Sequence, residues 1–204
     1  MGQVPAMARV FVITGPSGVG KGTLIRGLLE RVPQLGLSVS ATTRSPRPGE
    51  RDGEHYHFLS LAEFDRRVGA GEFVEHATYS GSRYGTLRSE LEGRLGRGEP
   101  IVLEIEVQGA RQVREAMPEA VAVFIAPPSR DALRARLVGR GTDAAEQVEQ
   151  RMQTAESELE AQPEFSRVVI NDRLEQATDE LERIVRDALT DDANLKAPDE
   201  RLPP

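Results

Sequence analysis

Residues 15–23 read GPSGVGKGT and nearly match the phosphate-binding pattern G-x-x-x-x-G-K-[ST]. In that pattern the glycines let the backbone point its N–H groups at phosphate oxygens, and the lysine adds a positive charge that reaches the terminal phosphates. Here Lys21 holds the lysine position, but Gly22 follows it and the hydroxyl comes one residue later, at Thr23. A chance glycine turn is the alternative for a bare motif of this kind, so the neighbouring elements decide the interpretation.

The segments on either side have the composition that a phosphate-binding loop, or P-loop, requires. Residues 9–14 (RVFVIT) are a β-branched run typical of a buried strand. Residues 23–32 (TLIRGLLERV) have helical periodicity that ends at Pro33. Because this order places the positive end of a helix dipole at the loop, residues 15–23 are predicted to bind phosphate.

A second group of anion-binding candidates lies in residues 38–58 (SVSATTRSPRPGERDGEHYHF). Arg44 and Arg47 stand in a segment stiffened by Pro46 and Pro48, and each guanidinium offers a planar fork of donors that suits a phosphomonoester. A solvated basic loop is the alternative for this segment alone. Beside a P-loop, it indicates a second phosphate site, so we expect one site for a nucleoside triphosphate and one for an acceptor phosphate.

A third group of arginines follows Ser129, which is a plausible helix N-cap. Arg136 and Arg140 are four residues apart and share one helical face, and Arg151 comes later in a polar segment. Arginines on a mobile segment can close over a transferring phosphoryl group and neutralise its charge. An ordinary charged helix face fits the same spacing, and the residues alone do not choose between the two.

Three carboxylates, Glu75, Glu104 and Glu106, lie on or beside predicted strands. Burying an unpaired carboxylate is costly, so at least one of them is expected to meet a ligand or an arginine. Glu104 and Glu106 fall near the carboxyl end of the predicted strand 100–105 (PIVLEI), which is where open α/β sheets bind their ligands.

The order of the predicted elements indicates an α/β fold whose central parallel sheet is covered by helices on both faces. Further apolar runs predict strands at 100–105, 120–126 and 167–170, and helical segments alternate with them at 108–117, 129–138 and 174–189. Residues 35–90 interrupt this alternation with short sheet-like runs and one helix, where Ser60 and Glu63 form a capping box. Residues 141–161 are polar and helical in composition, which predicts a mobile flap.

The composition narrows the class of protein. The chain has 204 residues, a net charge of −7 and no cysteine, which excludes disulfides and thiolate metal sites. A net negative charge argues against nucleic acid as the main partner but allows a small anionic ligand. No apolar run approaches the roughly 20 residues that a membrane span needs, and the start lacks a signal pattern. We therefore expect a cytoplasmic protein with no membrane partner.

In combination, these segments resemble the guanylate kinases, a branch of the P-loop nucleoside-monophosphate kinases, over roughly residues 9–188. The shared motifs, in the order in which the family has them, are GPSGVGKGT, SVSATTRSPRPGE, GEHYHF, FVEHATYSGSRYGT, VLEIEVQGA, IAPPS, RLVGRGT and VINDRL.

The resemblance implies a three-layer P-loop fold with a nucleoside-monophosphate-binding insertion and a helical lid. The implied core is 9–34, 87–130 and 162–188, with the insertion at 35–86, the lid at 131–161, and disordered tails at 1–8 and 191–204. The implied reaction is transfer of the γ-phosphate of Mg-ATP to GMP, and to dGMP, with no direct side-chain ligand to Mg²⁺. The oligomeric state is left open. The implied catalytic residues are Lys21, Arg136, Arg140 and Arg151.

The resemblance also assigns the substrate contacts. The ATP site would comprise Gly15, Pro16, Ser17, Gly18, Val19, Gly20, Lys21, Gly22, Thr23 and Asn171. The GMP site would comprise Ser40, Arg44, Arg47, Tyr56, Glu75, Tyr84, Thr86 and Glu104. Glu75 suits guanine because one carboxylate can accept from both N1–H and the 2-amino group, whereas adenine has an acceptor at N1.

This chain departs from the family pattern at two strand positions, where Glu104 and Glu106 stand in place of the frequent aspartates. Gly22 is no defect, since the family includes K-G-T as well as K-S forms. Another kinase of the branch, acting on AMP or a sugar phosphate, and a non-catalytic binding module are the competing interpretations. Glu75 opposes the first, and the retained Lys21 and Arg136 oppose the second.

Overall fold

The structure, a computed structural model of the chain, describes residues 9–79, 81–138 and 145–195. In chain order the strands and helices are β1 (Val10–Thr14), α1 (Lys21–Arg31), β2 (Gly36–Leu37), β3 (Ala41–Thr42), β4 (His57–Phe58), α2 (Leu61–Gly69), β5 (Phe73–Tyr79), β6 (Ser82–Leu87), α3 (Arg88–Leu95), β7 (Ile101–Glu104), α4 (Val107–Ala116), β8 (Val121–Ala126), α5 (Arg130–Val138), α6 (Ala145–Glu160), β9 (Val168–Ile170) and α7 (Leu174–Leu195).

A five-stranded parallel sheet forms the centre of the molecule, in the order β2-β7-β1-β8-β9. Side chains alternate between its two faces, so Phe11 and Ile13 pack under α1, α5 and α7. Val10 and Val12 pack on the other face, against α3 and α4. Apolar residues are buried on both faces, which explains the continuous apolar runs and confirms the predicted α/β architecture.

A second, smaller sheet has the order β4-β3-β6-β5 and carries the long antiparallel pair β5 and β6. Phe64 of α2 stacks on Phe73 at a centroid distance of 4.5 Å and fills a small separate core. Gly36 and Leu37 pair with β7 in the central sheet, so this sheet edge lies inside the range predicted as the insertion.

The ends of two helices refine the sequence predictions. Ser60 Oγ accepts from the Glu63 N–H at 3.2 Å and caps α2, while the Glu63 carboxylate accepts from Arg66 and Arg67. Helix α7 continues to Leu195, so it includes 191–195, which the sequence assigned to a disordered tail. Across the described ranges, none of the helices combines the length and the apolar character that crossing a membrane requires.

Candidate active site

The P-loop follows β1 and ends in the first turn of α1. Gly15 has φ 140°, and a Cβ there would lie 2.2 Å from the Ile125 carbonyl oxygen of the neighbouring strand. Gly20 is the N-cap of α1 in the left-handed region, at φ 98°. Side chains are excluded at both positions, by contact or by backbone strain, so the glycines of the motif are required by this backbone path.

Lys21 is the first residue of α1 and is only 8% exposed. Its ammonium donates to the carbonyl oxygens of Gly15 at 2.6 Å and Pro16 at 3.4 Å, and it lies 3.6 Å from Glu106 Oε2. The positive charge is therefore held against the turn of the P-loop, where the pattern places it for phosphate.

Arg136 and Asn171 both contact the far side of the loop. The Asn171 side-chain amide donates to the Val19 carbonyl at 2.8 Å, and Arg136 donates to the same oxygen at 3.2 Å and to the Asn171 carbonyl at 2.7 Å. Both predicted residues therefore lie at the P-loop, and their hydrogen bonds to the Val19 carbonyl stabilise the loop conformation. Arg140 lies outside the described residues.

Helix α6, which lies in the range predicted as the lid, reaches the tip of the loop at Ser17. Arg151 donates to Ser17 Oγ at 3.2 Å, and the Ser17 N–H donates to Glu158 Oε2 at 3.1 Å. Glu158 was missed by the sequence analysis. Its distance of seven residues from Arg151, two helical turns, places it on the same helix face and could have indicated it.

A cavity of about 280 Å³ opens between the P-loop side of the central sheet and the insertion. Its lining includes five of the predicted GMP residues, namely Ser40, Tyr56, Glu75, Tyr84 and Glu104. Tyr79 and Glu106 line it as well, and neither was assigned to the substrate from sequence. Residues as far apart in sequence as Ser40 and Glu104 therefore meet around one volume.

Glu75 is buried at one end of this cavity, with 4% exposure. Thr86 donates to its Oε1 at 2.8 Å, and a Cβ on Gly109 would lie 2.3 Å from its Oε2, so that glycine permits the close approach. Burial raises the pKa of Glu75 to about 7, and the charge of Glu106 adds to the rise against the opposing hydrogen bonds from Thr86. Within the described ranges no lysine or arginine is paired with this carboxylate, which is suited to accept hydrogen bonds from a ligand.

The two predicted phosphate-binding arginines differ in their surroundings. Arg44 forms a two-pronged ion pair with Glu50, at 3.0 and 2.9 Å, and its guanidinium lies 5.3 Å from the centre of the Tyr56 ring. The Arg44 guanidinium, together with the Arg47 N–H, holds the pKa of Glu50 at about 2. Arg47 itself is exposed. Glu50, also missed from sequence, thus orients Arg44 beside the tyrosine.

Glu104 stands between the two halves of the site, at the carboxyl end of β7. The residue is exposed at the mouth of the cleft, but partial desolvation of its carboxylate there raises its pKa. The charge of Lys21 opposes this rise, and the charge of Glu106 adds to it. A Cβ on Gly22 would lie 3.5 Å from Glu104 Oε1. Glu104 therefore faces both the cavity and the first turn of α1.

The raised pKa of Glu75 predicts a pH-dependent stability. Its ordinary pKa is 4.5 and its folded pKa is about 7, so the folded state holds a proton that the unfolded state loses between these values. The binding of this proton stabilises the folded state fully below pH 4.5, and the stabilisation is lost as the pH rises through 7. At pH 8 we expect the free energy of unfolding of Glu75→Gln to exceed that of the original chain by about 1–3 kcal/mol. Near pH 5 we expect little difference between the two. Urea unfolding at both pH values, without ligand, measures this, and equal stability at pH 8 would contradict it.

Comparison with known proteins assigns the family. A family model described as "Guanylate kinase" matches residues 7–188. The guanylate kinase of Synechococcus sp. (strain CC9311) is 52% identical over 178 residues, which cover 87% of this chain and 94% of that protein. The guanylate kinase of Streptomyces coelicolor is 51% identical and covers 86% and 89%. The crystal structure of guanylate kinase from Anaplasma phagocytophilum is 32% identical, with a TM-score of 0.74 over 91% of this chain and 88% of that one. The chain belongs to the guanylate kinase family.

Proposed function

We propose that this member of the guanylate kinase family transfers the γ-phosphate of Mg-ATP to GMP in the cleft between the P-loop, the insertion and the lid. The proposal rests on the buried carboxylate of Glu75. This carboxylate lines the same cavity as Tyr56 and Tyr84, and the cavity lies at the P-loop end of the central sheet. A purine with two adjacent N–H donors satisfies such a carboxylate, and guanine has them.

On the donor side, the backbone N–H groups of 15–23 and the dipole of α1 bind the phosphates of ATP. Lys21 supplies a charge at the turn of the loop, held by the Gly15 carbonyl at 2.6 Å. Arg136 and Arg151 already reach the loop from α5 and α6 and turn toward the transferring group. Arg140 is assigned to the same role.

On the acceptor side, Glu75 accepts from N1–H and the 2-amino group of guanine, and the Thr86 hydroxyl fixes one of its oxygens at 2.8 Å. The phosphate of GMP is held by Arg44, Arg47, Tyr56 and Tyr84. Ser40 and Glu104 line the volume between base and phosphate. The pair between Arg44 and Glu50 keeps that guanidinium oriented before the substrate arrives.

The carboxyl end of β7 fits a hydrated divalent cation. Glu104 lies next to the place where the P-loop pattern has its metal-binding hydroxyl, since a Cβ on Gly22 would be 3.5 Å from its carboxylate. Mg²⁺ keeps several waters and binds through few carboxylates plus substrate phosphates, so Glu104 would hold it through water. When bound, Mg²⁺ neutralises charge on the β- and γ-phosphates.

The protein then contributes alignment, charge and exclusion of water. Phosphoryl transfer needs little covalent help, so placing the GMP phosphate in line with the γ-phosphate accounts for much of the acceleration. The insertion closes on GMP and the lid closes on ATP. Because the GMP phosphate and the γ-phosphate are in line only when both are closed, transfer to water is suppressed.

The test of this function is the acceptor specificity. Initial rates of ADP formation from ATP are measured with GMP, dGMP, AMP, UMP and ribose phosphates at equal concentrations. We expect GMP to react fastest, dGMP to follow and the others to be poor acceptors. Fast use of AMP without use of GMP would assign the chain to another kinase of the branch, and no turnover with any acceptor would indicate a binding module.

A further inference from the structure

The tip of the P-loop is already occupied by a side chain of the protein. The Ser17 N–H donates to Glu158 Oε2 at 3.1 Å, across 141 residues of sequence. The same serine accepts from Arg151 at 3.2 Å through its hydroxyl, and that hydroxyl lies beside the Tyr79 phenol. The lid and the insertion therefore both contact the loop at Ser17.

The surroundings of Glu158 concentrate charge at this point. Ser17 and Lys21 face Glu158 from the P-loop. Glu106 faces it from the start of α4 and Tyr79 faces it from β5, while Arg151 lies on the same helix as Glu158. Glu106 is close enough to raise the pKa of Glu158 by its charge. Burial is the larger cause, and together they raise the pKa to about 8.

A carboxylate on a P-loop N–H stands in for a phosphate oxygen. Both are anions that accept hydrogen bonds, and the P-loop presents its N–H groups to anions of this kind. One N–H cannot serve a carboxylate and a phosphate fully at the same time. Above its raised pKa the carboxylate is ionised, so a nucleotide whose terminal phosphate approaches Ser17 then also meets its negative charge, and like charges at close range repel strongly inside a cleft.

We propose that Glu158 is an internal ligand of the P-loop, which competes with the terminal phosphate of ATP for the Ser17 N–H and so lowers the affinity of the chain for its donor. This inference rests on the donor role of the P-loop in the proposed function. ATP binding requires that the carboxylate leaves Ser17, which frees α6 to bring Arg151 onto the nucleotide instead.

The test compares ATP binding to Glu158→Gln with binding to the original chain, by calorimetry without GMP. A pH of about 9 keeps the carboxylate mostly ionised, because its pKa is about 8. Glu160→Gln is the matched control, since it removes the same charge from an exposed position on the same helix. We expect Glu158→Gln to bind ATP about fivefold more tightly, since it replaces a charged internal acceptor with a neutral one. Glu160→Gln is expected to bind as the original chain does.

Unchanged or weaker ATP binding by Glu158→Gln would overturn the proposal, and so would an equal gain in Glu160→Gln. Ligand-free melting temperatures show whether Glu158→Gln is folded. If it is not folded, Glu158→Asp replaces it in the test, because aspartate keeps the charge but is one methylene shorter. Glu158→Asp is also expected to bind ATP more tightly than the original chain. The measurement needs no acceptor, so its outcome is independent of whether GMP is the substrate.

Discussion

Replacement of Lys21 by alanine is expected to lower the turnover of ATP with GMP by about 10²–10³-fold, as loss of a preorganised transition-state donor does. Lys21 is buried at the turn of the P-loop, and its ammonium is fixed by the Gly15 carbonyl at 2.6 Å. The transferring phosphoryl group spreads its charge over three oxygens, and a cation already in position meets that charge without reorganisation.

The affinity for GMP is expected to stay nearly unchanged in Lys21→Ala, because the lysine is at the P-loop and does not line the cavity proposed for GMP. Steady-state rates give kcat, and calorimetry gives the GMP dissociation constant. Arg26→Ala is the control, since it removes an exposed cation from the same helix and should keep most of the activity. Turnover near that of the original chain in Lys21→Ala would remove the lysine from the catalytic machinery.

The central sheet and the P-loop could be predicted because their signals are local. Apolar runs such as 120–126 must be buried on both faces, and the glycines at 15 and 20 belong to a motif of nine consecutive residues. The contact that excludes a side chain at Gly15 is with Ile125, which only the fold reveals. Strand Gly36–Leu37 could not be predicted, because two residues carry no periodicity. Its place depends on pairing with β7, more than 60 residues later.

Of the site, the sequence identified the residues that a motif marks and missed those that only the fold brings in. Glu50 looks like part of a solvated loop until it pairs with Arg44, and Glu158 looks like one more charge on a polar helix until α6 meets Ser17. The raised pKa of Glu75 is equally invisible in sequence, because it depends on burial and on the charge of Glu106.

The consequence for Glu75 is the strongest expectation about substrate choice. In Glu75→Gln the acceptor pair for N1–H and the 2-amino group of guanine becomes one acceptor and one donor. The donor then faces a donor on GMP, while it suits the N1 acceptor of adenine. We expect kcat/KM for GMP to fall about 10²-fold and that for AMP to hold or rise, since an unpaired buried polar contact discriminates strongly.

The measurement is kcat/KM for GMP and AMP in Glu75→Gln, with Glu72→Gln as the control. Glu72 is a half-buried carboxylate three residues earlier that pairs with Arg66 and Arg67 and does not line the cavity, so its removal should leave the ratio unchanged. An unaltered ratio in Glu75→Gln would exclude Glu75 from the base site. The same substitution is expected to stabilise the ligand-free chain at pH 8, because the buried charge is lost. Lower selectivity together with higher stability would mean that the carboxylate is kept buried for recognition of guanine, at a cost to the fold.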